Sequence, residues 1–314
     1  MLGMTRTSHP RIELYRTTDG GLRWAAIPAP PAPWEWASDT MPADGVSGVT
    51  FADARDGWLY GPGLWATHDG GRSWRRVATD GAQVDSLQAA GGQVLAAFTT
   101  CAGQCGYGSA RFTVYRSPAA NDDWHRVRGA TGPGIGRLAV AGSAGYAVGN
   151  EGMSPLTTMV TGPVTGPGPW LRRALPCPRA WQPAIAASAA GLALACNQPQ
   201  GEHPVQVLLY RSADGGLRWH RATALSLEDG AGSVSVGPTG MLVVAGMYSG
   251  MTLSRDGGRR WQAVPSVDDT VAVQGGGTFL AVMTTDRFGF AIVQALRAWL
   301  TRDGGRTWTS VTVR

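Results

Sequence analysis

Apolar residues run through this chain in short bursts, many alternating with polar ones, and Gly-, Pro- and Asp-rich turns separate the bursts. A period of two marks half-buried β-strands, and the turn residues mark where the chain reverses. Residues 46–51 (VSGVTF), 58–60 (WLY) and 63–67 (GLWAT) read as three successive strands, and WRRVA after the next turn reads as a fourth. Gly145-Tyr146-Ala147-Val148-Gly149 reads as another strand of the same kind. The longest apolar stretch, Ala184 to Cys196, is interrupted by Ser188 and Gly191 and falls short of membrane length.

The strands belong to a repeat. The pattern [ST]-x-D-G-G-x-x-W occurs five times, beginning at Thr17, Thr67, Ser212, Ser254 and Thr301. Its acids are Asp19, Asp69, Asp214, Asp256 and Asp303, and its aromatics Trp24, Trp74, Trp219, Trp261 and Trp308. A degraded copy, SPAANDDW, ends at Trp124 with Ala119 in the Asp position, and a more eroded Gly/Pro copy ends at Trp170. The seven Trp are spaced by 50, 50, 46, 49, 42 and 47 residues, the length of a four-stranded propeller blade. The glycines tolerate positive φ, the Ser/Thr and Asp side chains can bond the turn's own amides, and the Trp packs beside the turn. An acid repeated once per blade reads as a folding device rather than a catalyst or calcium ligand.

These residues carry a resemblance. The motif looks like the Asp-box (BNR) repeat of the sialidase-like β-propellers. FADARDGWLYGPGLWATHDGGRSW (51–74) is similar to repeats of the photosystem II assembly-factor-like family. The resemblance implies an all-β propeller of seven blades, six complete and the first incomplete. Residues 12–27 supply only a strand, an Asp box and a following strand, while the last blade already ends in its own outer strand. Residues 1–11 are expected to be a disordered tail before a single propeller domain over 12–314. Either the true start lies upstream, or the N-terminal hairpin decorates a six-bladed ring; the first is the expectation, since it would also supply the signal peptide that MLGMTRTSHP does not resemble.

Composition alters this picture little. Charged residues make up 16% of the chain, with 45 Gly, 20 Pro and 13 Trp, a profile of short strands and tight turns. All 27 basic residues are Arg, which reads as codon usage, so the net charge of +5 does not by itself indicate nucleic acid. Arg72, Arg75, Arg76, Arg126, Arg128, Arg172, Arg173, Arg218, Arg221, Arg259 and Arg260 cluster around the boxes, as a basic girdle or as solvated edges that resist aggregation.

The four cysteines, Cys101, Cys105, Cys177 and Cys196, map to the face opposite the Asp boxes. Three connectivities exist, and 101–105 with 177–196 is the pairing expected, with an oxidising compartment. Neither the spacing nor the scattered histidines suit zinc, and no cofactor or metal is expected.

No nucleotide, metalloprotease or nucleophile-elbow motif is present. The expected function is a non-catalytic, extracytoplasmic, monomeric propeller that recognises a protein or glycan through its loop face. Trp34, Trp36, Arg179, Trp181 and Tyr248 are the candidate binding residues, as aromatic and Arg side chains dominate interfaces. Trp34 and Trp36 could equally pack over the gap in the first blade. The resemblance also implies an alternative, an exo-sialidase-like glycosidase. Tyr107, Glu151, Arg179, Glu202, His203, Tyr248, Asp286 and Arg287 are the loop residues from which an Arg triad and a Tyr/Glu pair could be drawn, although the Phe/Tyr-Arg-Ile-Pro motif of sialidases is missing.

Overall fold

The computed structural model describes residues 2–4, 11–33, 45–101, 109–150, 158–177, 181–198, 204–228, 230–246, 250–264, 278–293 and 297–312. The fold is an all-β propeller with six complete four-stranded sheets and an incomplete first blade. In every complete blade the four strands follow one another antiparallel, as a meander. The chain divides into two compact units, Met1–Gly149 with Val160–Leu171, and Asn150–Met159 with Arg172–Val313.

The first unit holds blades one, two and three and the inner part of blade four. Blade one contains Ile12–Arg16 and Ala25–Ile27, joined by the first Asp box. Leu2–Met4 pairs antiparallel with Ile12–Arg16, Leu2 opposite Leu14, so these residues form a strand instead of the disordered tail expected over 1–11. The physical reason is the free edge of Ile12–Arg16, whose backbone N–H and C=O groups need partners.

The core lies between successive sheets. Ile12 and Leu14 of blade one pack with Val46 and Leu59 of blade two. Trp58, Leu64 and Ala66 of blade two pack with Val84, Leu87, Ala96 and Phe98 of blade three. Alternation supplies these faces: in Ala110–Pro118 the buried positions are Ala110, Phe112, Val114 and Ser117, and the break in period after Val114 follows a bulge in the pairing.

In the second unit, Ala193, Ala195, Val207 and Leu209 of blade five meet Val234, Val236, Leu242 and Val244 of blade six. Met251 and Leu253 of blade six meet Ala281, Met283 and Trp308 of blade seven. The innermost strands have no sheet partner on one edge, and serines of the preceding blade serve them. Ser235 Oγ accepts from Met283 N at 3.2 Å, as Ser86 Oγ accepts from Leu138 N at 3.1 Å in the first unit.

Candidate functional site

The Asp boxes are closed hydrogen-bond circuits. In blade six, Ser254 Oγ donates to Asp256 Oδ1 at 2.9 Å and accepts from Gly258 N at 2.8 Å. The same Oδ1 accepts from Arg259 N at 3.0 Å and Arg260 N at 2.9 Å. Thr17 with Asp19, Thr67 with Asp69, Ser212 with Asp214 and Thr301 with Asp303 repeat the arrangement. The two box glycines take positive φ throughout, +75° and +99° at Gly257 and Gly258. The Arg260 amide leads in holding Asp256 below the usual carboxylate range, and in blade two the Ser73 hydroxyl does the same for Asp69. These carboxylates are stable anions committed to their own turns, poorly suited to proton transfer.

The degenerate copy shows what replaces the acid. With Ala119 in the Asp position, Ser117 Oγ donates to the Asn121 carbonyl at 2.8 Å, and Asn121 Oδ1 accepts from Asp123 N at 3.2 Å. Asp122 is thereby released to face blade two. Its side chain is 2% exposed and accepts from Trp58 Nε1 at 2.9 Å and Arg75 Nη2 at 2.5 Å. His68 lies between two carboxylates, with Nδ1 2.8 Å from Asp56 Oδ1 and Nε2 3.1 Å from Asp122 Oδ2. Burial opposes charge on His68, but its bonds to Asp56 and Asp122 outweigh this and raise its pKa. Both ring nitrogens are engaged, so the cluster ties blades together and offers no free base.

Other blades use one cation for the same purpose. Arg16 Nη1 donates to Gly70 O at 3.4 Å, Arg116 Nη1 to Gly166 O at 2.7 Å, and Arg255 Nε to Gly304 O at 3.1 Å. The Arg211 guanidinium lies against Gly257, where a Cβ would stand 2.7 Å from Nη1. Each reaches the box turn of the next blade. These residues were not singled out from the sequence, although the signal is visible there: the box Ser or Thr has a cation one residue before or after it.

On the face opposite the boxes, Cys177 and Cys196 are joined, their Cα atoms 5.8 Å apart. Cys101 is also disulfide-bonded, and Cys105 lies outside the described residues. A recess of about 230 Å³ opens between blades two and three. Thr79, Asp80, Phe98, Thr100, Thr113, Tyr115 and Trp124 line it. Asp80 holds φ at +49° in a tight turn closed by Ala82 N donating to Thr79 O at 2.9 Å. Phe98 stacks obliquely on Tyr115, with centroids 4.6 Å apart. None of these residues was a sequence candidate, since apolar alternation alone marks Phe98 and Tyr115 as core.

Most sequence candidates, Trp34, Trp36, Tyr107, Glu151, Arg179, Glu202, His203 and Tyr248, lie outside the described residues. Trp181 begins the first strand of blade five, its backbone opposite Asn197. Asp286 and Arg287 need correction as loop-face residues. They occupy the turn between Thr278–Met283 and Gly289–Val293, where Arg287 O accepts from Gly304 N at 2.9 Å, so they belong to the Asp-box face. Asp286 Oδ1 accepts from Thr239 Oγ1 at 2.7 Å. The turn between the first two strands and the turn between the last two share an end of the blade, which places both residues there. Among the described residues no cluster of His, Cys, Asp and Glu is arranged to hold a metal, and no helix is long and apolar enough to cross a membrane.

No family model matches the chain, and no curated protein matches it in sequence. Solved structures do match in fold. A structure described as YCF48 bound to D1 peptide superposes with a TM-score of 0.56 at 15% identity, covering 84% of this chain and 80% of its own. YCF48 from Cyanidioschyzon merolae gives a TM-score of 0.55 at 14% identity, covering 84% and 85%. The protein therefore shares the propeller fold of these structures.

Proposed function

We propose, taking the YCF48-like fold as the premise, that this chain is a non-catalytic extracytoplasmic propeller that binds a peptide segment of a partner protein through its loop face. The observation that carries the reading is the match over 84% of the chain to a propeller solved with a peptide bound. Two features support it. The repeat's carboxylates are consumed by their own turns, which removes the most obvious acids from catalysis. The Cys177–Cys196 bond suits an oxidising compartment and braces the loop side.

Trp34, Trp36, Arg179, Trp181 and Tyr248 are the proposed contacts, with the Asp80–Tyr115 recess accepting a side chain at blade three. Panning a random phage-displayed peptide library on the full chain tests this. Enrichment of a consensus that binds the wild type and fails on either Trp181→Ala or Tyr115→Ala supports the reading. Enrichment of nothing, with selective capture on a glycan array, replaces peptide by glycan. Turnover of a fluorogenic sialoside, abolished by Glu202→Gln or Tyr248→Phe, overturns the non-catalytic assignment.

A further inference from the structure

The Asp-box end of blades five to seven carries charge that the proposed function does not use. Leu217-Arg218, Arg259-Arg260 and Arg306-Thr307 occupy the two positions before each box Trp, and all six are exposed. Arg287 joins them from the neighbouring turn. The turns adjoin: Arg255 bonds Gly304 O, Arg211 lies on Gly257, and Thr239 bonds Asp286.

The acids at this end keep their charge but are turned to partners of their own, and the arginines outnumber them. Asp214, Asp256 and Asp303 face their own amides, and Asp286 accepts from Thr239. The guanidinium groups of Arg218, Arg259, Arg260 and Arg287 make no hydrogen bond or ion pair with the described residues. Leu217 stands 61% exposed at a turn tip, and blade one repeats the feature at Leu22, 71% exposed.

We propose that this end of blades five to seven is a docking surface for an anionic lipid membrane. Unpaired guanidinium groups supply attraction to lipid phosphates, at about 1 kcal/mol each near a charged surface. The projecting leucine supplies apolar area for the headgroup boundary, where charge and burial together set affinity. Nucleic acid fits less well, because the aromatic rings that could stack on bases fold onto their own turns. Trp261 Nε1 donates to Gly258 O at 3.0 Å, and Trp308 is 7% exposed. This end lies opposite the loops assigned to peptide, so the two assignments fail independently.

The test is co-sedimentation of the full chain with phosphatidylcholine vesicles, with and without about one-third phosphatidylglycerol. The expected result is binding to the anionic vesicles alone, falling as NaCl rises from about 50 to 500 mM. R259E/R260E should lower the partition coefficient at least about ten-fold, while the charge-matched R111E/R128E in blade three leaves it near wild type. L217S should weaken binding without altering its salt dependence. Equal partitioning of R259E/R260E and wild type overturns the proposal. So does tight binding to duplex DNA with none to vesicles, which would reassign the surface to nucleic acid.

Discussion

His68 and Asp122 meet 3.1 Å apart across the interface between blades two and three. The carboxylate comes from the one recognisable box that has lost its own Asp, and the histidine from the second position of an intact box. Asp56 faces the other ring nitrogen, Arg75 and Trp58 complete Asp122, and Arg55 reaches the His68 carbonyl at 3.5 Å. The result is a titratable joint between two blades.

That joint gives stability a pH dependence. The folded pKa of His68 lies above its ordinary 6.5, so its contribution is fully present below 6.5 and is lost as pH rises through the folded value. Urea midpoints for the wild type should fall between pH 5.5 and 8.5, and His68→Gln should flatten that fall. An identical slope in the variant would place the titration elsewhere.

Asp122→Ala should be more damaging than His68→Gln. It strips three donors of their acceptor, the Trp58 indole among them, where the Asp122 side chain is 2% exposed, a loss on the order of 2 kcal/mol for unmade hydrogen bonds. Chemical denaturation measures it. A loss below about 1 kcal/mol would mean that water replaces the carboxylate.

The boxes should fail at the opposite end of the pH scale. Asp303 is held down to about 2 by the Thr307 amide and hydroxyl, from an ordinary 3.8. Its contribution is present above 3.8 and disappears as pH falls through about 2. Asp303→Asn should already be less stable than wild type at neutral pH and lose less on acidification. Circular dichroism melts across this window read the difference.

Ser254 is fully buried, donates to Asp256 and receives Gly258 N. Ser254→Ala should cost about 1–2 kcal/mol, the price of an unsatisfied buried amide and carboxylate. Ser254→Thr, the residue other boxes use, should restore most of it. Equal denaturation midpoints for Ala and Thr would show that packing, not the hydroxyl, sets the turn.

Reduction should add about four hydrogens to the intact mass if all four cysteines are paired. Opening the bond between Cys177 and Cys196, 19 residues apart, should cost about 3 kcal/mol by release of the unfolded loop. Unfolding with and without reductant, in wild type and Cys177→Ser/Cys196→Ser, separates this bond from the other.

The architecture was legible because it is repetitive. Five boxes in register and a regular Trp spacing specify turns whose bonds are local, and local bonds follow from local sequence. The edge pairing of Leu2–Met4 was not legible, since it depends on which strand is left without a neighbour. Asp286 and Arg287 read from the sequence as loop-face residues because a polar turn looks alike at either end of a blade; only the order of strands distinguishes them. The His68–Asp122 joint is hidden in the sequence for a related reason. Its halves lie 54 residues apart, and each reads alone as a turn residue. The recess at Asp80 and Tyr115 was hidden because a core aromatic and one lining a cleft show the same alternation.

The reach of Arg16, Arg116 and Arg255 into the turn of the following blade has a genetic corollary. Blades one, three, five and six each carry such an arginine, and each following blade a turn that receives it, so a copied segment arrives with both halves of its connector. A chain built this way can lengthen by tandem duplication without redesigning any junction. Between blades two and three the acceptor is the side chain of Asp122 in place of a backbone carbonyl, and the donor a histidine in place of an arginine.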